Sequence, residues 1–261
     1  MDLGLTGKRA LVTGASKGIG LAIVQGLVAE GATVVAGARH SSVELDRLVA
    51  AGTVEFVAAD LSTRGGPAAL VDAALAGGPL DVVVNNAGAV KPRLAGFAAI
   101  SDDDWAATFE LTLFAAVRTT RAALPGMIER GSGTIVTVCS VNAFLPDPAV
   151  LDYSAAKAAL ANFSKSLSKE VGPAGIRVNT VSPGPVTTDL WLGDDGVAAM
   201  VGGAQSVDPR DVAAQQAAQA PSGRFTSAAE VADLVVLLAG ERAANVTGAD
   251  FVVDGGLVTT L

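Results

Sequence analysis

The chain has one cysteine, one histidine and one tyrosine in 261 residues, and each scarcity excludes something. A lone Cys139 forms no internal disulfide and suits a reducing compartment. With only His40 there is no recognisable spacing of metal ligands, so no metal is expected. Charged residues make up 17% of the chain against 50% hydrophobic, which excludes a disordered polymer and requires most of the chain to pack. The 18 Lys and Arg residues form no cluster and are outnumbered by 26 Asp and Glu, for a net charge of −8. Nucleic-acid binding needs concentrated positive charge, so no such partner is expected. No apolar run approaches the roughly 18 residues of a membrane span. The opening "MDLGLTGKRALVTG" has no basic segment followed by an apolar core and a cleavage site. A soluble, cytoplasmic protein is therefore expected, in which the sequons at Asn162 and Asn245 are chance matches.

What is present is a regular alternation. Short β-branched runs are expected as strands at Arg9 to Thr13, Thr33 to Ala36, Val54 to Ala58, Val82 to Asn85, Thr134 to Cys139, Ile176 to Ser182 and Asp250 to Asp254. They are continuously apolar, as strands covered on both faces must be. Ala/Leu-rich helical segments fill the gaps, and "SDDD" at Ser101 and "SAAE" at Ser227 have capping-box spacing. Strand and helix in repetition predict an α/β, three-layer, doubly wound parallel sheet. With no linker or internal repeat, residues 1–261 are expected as one domain. Residues 189–223, rich in Gly, Ala, Asp and Gln, are read as a poorly ordered, mobile lid before the last helix.

Ligands of such sheets sit at the carboxyl ends of the strands. After the first strand comes "TGASKGIG", where Gly14, Gly18 and Gly20 allow a tight turn and let a pyrophosphate approach a helix N-terminus. "NNAG" (Asn85 to Gly88) follows the fourth strand and "SPGPVTT" (Ser182 to Thr188) the sixth, both small enough to admit a flat ligand. The only tyrosine lies in "DYSAAK", with Tyr153 and Lys157 four residues apart and so on one helix face. Cys139 is read as a buried small hydrophobe and Trp105 as core.

In order and spacing these motifs resemble the short-chain dehydrogenase/reductase family over nearly the whole chain. The resemblance implies a seven-stranded Rossmann sheet, assembled as a homotetramer or dimer through the long helices around Trp105 and Tyr153. It implies a catalytic set of Ser140, Tyr153 and Lys157. The cofactor would be held by Gly14, Ser16, Lys17, Gly18, Ile19 and Gly20; by Asp60 and Leu61 near the adenine; by Asn86, Ala87 and Gly88 beneath the ribose; by Tyr153 and Lys157; and by Pro183, Gly184, Val186 and Thr188 around the nicotinamide. Members preferring NAD usually carry an Asp at the end of the second strand. This chain has Ala38 followed by Arg39, and with Lys17 nearby NADP(H) is expected in preference to NAD(H).

A ketone accepting hydride develops negative charge on oxygen and needs a proton donor and an aimed dipole. Tyr153 is the expected donor, Ser140 the dipole, and Lys157 a cation about 4 Å away, on the order of 4 kcal/mol at an effective dielectric near 20. Substrate contacts are expected from Ser140, Phe144, Leu145, Val150, Leu151, Tyr153, Leu190 and Trp191, with Leu192 and Met200 nearby. The expected substrate is a hydrophobic ketone or alcohol, with a lid that closes on Trp191. Two alternatives are a 3-oxoacyl carrier-protein reductase and a non-catalytic NADP(H) sensor or scaffold. Against the first, Gly131 and Ala174 stand where such reductases often carry basic residues, although Arg130 is present. One departure from the family is Thr112, seven residues after Trp105, where most members carry an Asn that loosens the helix and holds a water in the proton relay. Thr112 is expected to keep that relay in altered form.

Overall fold

The expected strands all pair into one sheet. The computed structural model describes residues 1–260. The elements begin with β1 (Arg9–Thr13), α1 (Gly18–Ala29), β2 (Thr33–Ala38), α2 (Val43–Ala50), β3 (Val54–Ala58), α3 (Gly66–Ala76) and β4 (Val82–Asn85). They continue through α4 (Asp102–Phe109), α5 (Ala115–Arg130), β5 (Gly133–Val138), α6 (Leu151–Val171) and β6 (Ile176–Pro183). The chain closes with β7 (Val186–Thr187), α7 (Asp189–Leu192), α8 (Val197–Gln205), α9 (Pro209–Ala217), β8 (Thr226–Ser227), α10 (Ala228–Ala239) and β9 (Asp250–Val253). The main sheet is parallel throughout, in the order β3-β2-β1-β4-β5-β6-β9.

Both faces of this sheet are covered, and successive strand residues serve opposite layers. Ala10 and Val12 of β1, Val34 of β2 and Val84 of β4 pack with Ile23 and Leu27 of α1 and Val235 of α10. The intervening Leu11, Val35 and Val83 pack with Leu70 of α3, Met127 of α5 and Leu167 of α6. Burying a leucine in this way contributes roughly 1.5–3 kcal/mol. The winding reverses between β1 and β4, so the crevice of an open α/β sheet lies at the carboxyl ends of these strands.

Three expectations are corrected. Residues 189–223 are not irregular: α7, α8 and α9 occupy most of the segment. Its ends are clipped together by the parallel pairing of β7 with β8, and Trp191 packs edge-on against Phe225 with ring centroids 5.2 Å apart. Alanine and glutamine are good helix formers, and here they outweigh the glycines. Trp105 is half-buried rather than core, tilted against Phe109 at 6.1 Å. The long helix expected from Ser101 onward is interrupted by a π-helical segment, Glu110–Phe114, which separates α4 from α5.

Both capping boxes form, Ser101 with Asp104 and Ser227 with Glu230. The Ser101 hydroxyl, joined by Arg93, holds the Asp104 carboxyl at about 2. Arg224, joined by Ser227, holds Glu230 at about 2. Both groups bind protons less readily in the folded chain than in the unfolded one. The stability they contribute is complete above the ordinary carboxylate range and is lost as pH falls through about 2. Calorimetry should show Tm dropping between about pH 5 and 2, with a shallower drop in Glu230→Gln. A Tm independent of pH across that window would contradict this reading.

Candidate active site

The turn after β1 is built for close approach. Gly14 and Gly18 have φ of +65° and +56°, a region that glycine enters without steric cost. A Cβ on Gly20 would sit 2.2 Å from the Gly14 carbonyl oxygen and 2.5 Å from Asn86 Nδ2, so α1 meets the turn only because that position is bare. The N-cap residue of α1, Lys17, makes no side-chain cap, which leaves the first turn of the helix as an anion cradle. The "NNAG" turn is tied to the same loop. Asn86 Nδ2 donates to the carbonyls of Thr13 (3.0 Å) and Gly14 (3.1 Å), and the backbone N–H groups of Asn86 and Ala87 donate to Thr13 Oγ1 at 2.9 and 3.1 Å.

A cavity of about 1000 Å³ opens above these turns. Its lining includes every residue expected to hold the cofactor: Gly14, Ser16, Lys17, Gly18, Ile19, Gly20, Arg39, Asp60, Leu61, Asn86, Ala87, Gly88, Tyr153, Lys157, Pro183, Gly184, Val186 and Thr188. Bare glycines at the turn, an uncapped helix start and a cavity of this size fit a dinucleotide. Hydrogen bonds from the Ser62 hydroxyl and backbone N–H hold the Asp60 carboxyl below the usual carboxylate range. Not anticipated were His40, Ser41 and Ser42, which line the cavity beside Arg39. Their position just past β2 was the one available signal.

Of the expected substrate residues, Ser140, Leu145, Val150, Tyr153, Leu190 and Trp191 line the cavity. Phe144 and Leu151 do not: Phe144 ends a single 3₁₀ turn and is exposed, and Leu151 opens α6 two residues from Tyr153, off the face that lines the cavity. Leu192 and Met200 are likewise exposed and outside the lining. Unanticipated polar lining comes from Asn142, Asp147, Gln216 and Gln219.

Lys157 is 3% exposed, and its ammonium donates to the Val138 carbonyl at 2.8 Å. Its Nζ lies 5.6 Å from the centroid of the Tyr153 ring. Ser140, at the end of β5, accepts from the Asn142 backbone N–H and donates to Asn142 Oδ1, both at 3.2 Å. Cys139 next to it is buried, its thiol donates to the Lys157 carbonyl at 3.3 Å, and burial pushes the thiol up, which disfavours the thiolate. Thr112 does not line the cavity, although its neighbour Leu111 does. It is fully buried within the π-helical segment, and its hydroxyl has no partner.

One charged cluster near the site was not foreseen. Asp152, directly before Tyr153, accepts from Arg93 Nε at 3.1 Å, from Arg93 Nη2 and from the Thr108 hydroxyl at 2.7 Å. Burial raises its proton affinity, but the hydrogen bonds from Arg93 and Thr108 outweigh that and hold the carboxyl below its usual range.

Residues 8–194 match the short chain dehydrogenase family. The 3-oxoacyl-[acyl-carrier-protein] reductase FabG of Salmonella typhimurium is 34% identical, over 96% of this chain and 97% of its own. L-sorbose reductase of Gluconobacter frateurii, solved with NADPH and L-sorbose, is 37% identical, with a TM-score of 0.91 over 100% of both chains. A 3-oxoacyl (acyl-carrier-protein) reductase of Agrobacterium tumefaciens, solved with NADP bound, is 31% identical, with a TM-score of 0.86 over 98% of this chain and 96% of that one. The glycine turn, the Ser140, Tyr153 and Lys157 set and these relatives agree: the chain belongs to the short chain dehydrogenase family, oxidoreductases that interconvert CH–OH and C=O groups.

Proposed function

We propose that the protein is an NADP(H)-dependent reductase that interconverts a ketone and a secondary alcohol, with Tyr153 as general acid and base. The observation that supports it is the convergence of Tyr153, Ser140 and Lys157 on the same cavity that the glycine turn lines. The nicotinamide cofactor, when bound, supplies the hydride. Tyr153 gives its phenolic proton to the carbonyl oxygen as negative charge develops there, and the Ser140 hydroxyl orients that oxygen. The buried Lys157 ammonium supplies a fixed positive charge beside the tyrosine, which favours the phenolate left behind. Thr112, whose buried hydroxyl has no partner, holds the proton relay open in place of the family's Asn. The π-helical segment around it keeps the loosened backbone that the Asn would provide.

The preference for NADP(H) rests on Arg39 and Lys17. Both are exposed at the cavity rim, neither is ion-paired among the described residues, and the residue before Arg39 is the buried Ala38. Two cations outside any ion pair, with no carboxylate at the end of β2, suit a 2′-phosphate, while Asp60 at the end of β3 stays within reach of the Arg39 charge. The substrate reading rests on the walls, which are more apolar than polar and include Leu145, Val150, Leu190, Trp191, Val201 and Leu257; this fits a hydrophobic ketone, closed over by the lid. A second reading, a polyhydroxy ketone, is favoured by Asn142, Asp147, Gln216 and Gln219 and by the likeness to L-sorbose reductase. A carrier-protein substrate is less suited. Gly131 has φ +64° as the left-handed end of α5, which disfavours a basic side chain, and the Arg130 guanidinium is engaged by the Leu80 carbonyl at 2.6 Å. The net charge of −8 also repels acidic carriers. Exposed Phe114, at the end of the π-helical segment, and Ile128 on α5 support assembly into a homodimer or homotetramer.

NADPH oxidation at 340 nm across aryl, aliphatic and polyhydroxy ketones tests the reaction. Turnover of one class is expected, abolished in Tyr153→Phe with NADPH binding intact and lowered about 10-fold in Thr112→Val. NADPH binding with no turnover of any ketone would point instead to a sensor or scaffold. Arg39→Ala should raise KM for NADPH far more than KM for NADH, and equal changes would remove the basis for the NADP(H) assignment.

A further inference from the structure

The first turn of α6 carries Tyr153, yet the helix has no side-chain cap of its own, because its N-cap residue is Val150. What holds this turn comes from another part of the chain. Arg93 lies in the connection between β4 and α4, with its side chain 9% exposed. It donates through Nε and Nη2 to Asp152 Oδ2 and through Nη1 to Asp104 Oδ1 at 2.7 Å, and its backbone N–H donates to the Ala149 carbonyl at 2.7 Å. The Thr108 hydroxyl of α4 completes the shell on Asp152 Oδ2. Asp152 is itself buried, with its side chain 2% exposed.

One guanidinium therefore joins three pieces of the site: the strand-end connection that contributes Val90 and Pro92 to the cavity, the capping box of α4, and the start of α6. Its planar fork fixes direction as well as distance, which a lysine at the same place would not do. We propose that Arg93 is a positioning residue for the oxidoreductase reaction, setting the Tyr153 hydroxyl through Asp152 while touching neither substrate nor cofactor. The inference rests on the reading of Tyr153 as proton donor. Misplacement by even about 1 Å costs on the order of 100-fold in rate, so the clamp matters more to turnover than to cofactor binding, most of whose expected contacts lie in the turns after β1 to β4 and after β6 rather than on α6.

The test uses Arg93→Met, Arg93→Lys and the double variant Arg93→Met/Asp152→Asn, the last removing both charges so that no buried carboxylate is left unpaired if the single variant folds poorly. The ketone turned over fastest by the wild type serves as the probe substrate. Expected are kcat at least 10-fold lower in Arg93→Met and in the double variant, with partial recovery in Arg93→Lys and an NADPH Kd within 2-fold of wild type. Independent of turnover, Tyr153 is the only tyrosine, so protein labelled with ¹³Cζ-tyrosine gives one NMR signal. That signal should shift or broaden in Arg93→Met and stay in place in Arg224→Met, which breaks a surface ion pair with Glu230. A folded double variant with wild-type kcat, or an unmoved tyrosine signal in Arg93→Met, would overturn the proposal. Retention of turnover by Tyr153→Phe would instead overturn the underlying reading of the proton donor.

Discussion

A positive charge buried at the end of the sheet is the constraint around which the rest of the site is arranged. Lys157 is almost wholly enclosed, and among the described residues its ammonium makes one hydrogen bond, to a neutral carbonyl at the end of β5. Taking an ammonium out of water without an opposing carboxylate is unfavourable, so the surroundings must accommodate it. The Val138 carbonyl does so because β5 ends there. Gly88 of the "NNAG" turn stands beside it, where a Cβ would make an ordinary 3.7 Å contact with the ammonium. Tyr153, one turn earlier on α6, offers its ring face at 5.6 Å. The "NNAG" turn, the end of β5 and the start of α6 therefore meet around the same charge, and the glycine turn is bonded to the first of them through Thr13.

Most of this was legible in the sequence, for identifiable reasons. Strands covered on both faces appear as unbroken apolar runs, and β1, β3 and β4 have the expected bounds, with the others within two residues. The capping boxes at Ser101 and Ser227 were visible because a hydroxyl and a carboxylate three residues apart have one common local use. The side of the cavity lined by the glycine turn and the "NNAG" turn follows from motifs at strand ends, where position in the chain and position in space coincide.

What was not legible depends on long-range contacts or on backbone geometry without a sequence mark. Arg93 and Asp152 are 59 residues apart, and neither looks different from a solvated charge until α4 and α6 bring them together. The π-helical segment Glu110–Phe114 contains no glycine or proline that would announce it. In residues 189–223 glycines are interleaved with helix formers, which masks the helical periodicity, and the β7–β8 clip that closes the segment is two residues long, too short to carry a pattern. Phe144 and Leu151, expected as substrate contacts, fall outside the cavity lining because the turns before α6 point adjacent residues in different directions.

If the buried ammonium is there for the reaction and the cofactor, the fold alone should do without it. Calorimetry of Lys157→Met with and without NADPH tests this most directly. The account predicts a Tm without cofactor at or above that of the wild type, because a buried charge has been replaced by an apolar chain of similar length. It also predicts that NADPH raises the wild-type Tm markedly and that of the variant little. A variant that melts lower without cofactor and gains as much from NADPH as the wild type would show that Lys157 serves the fold, and would contradict the account.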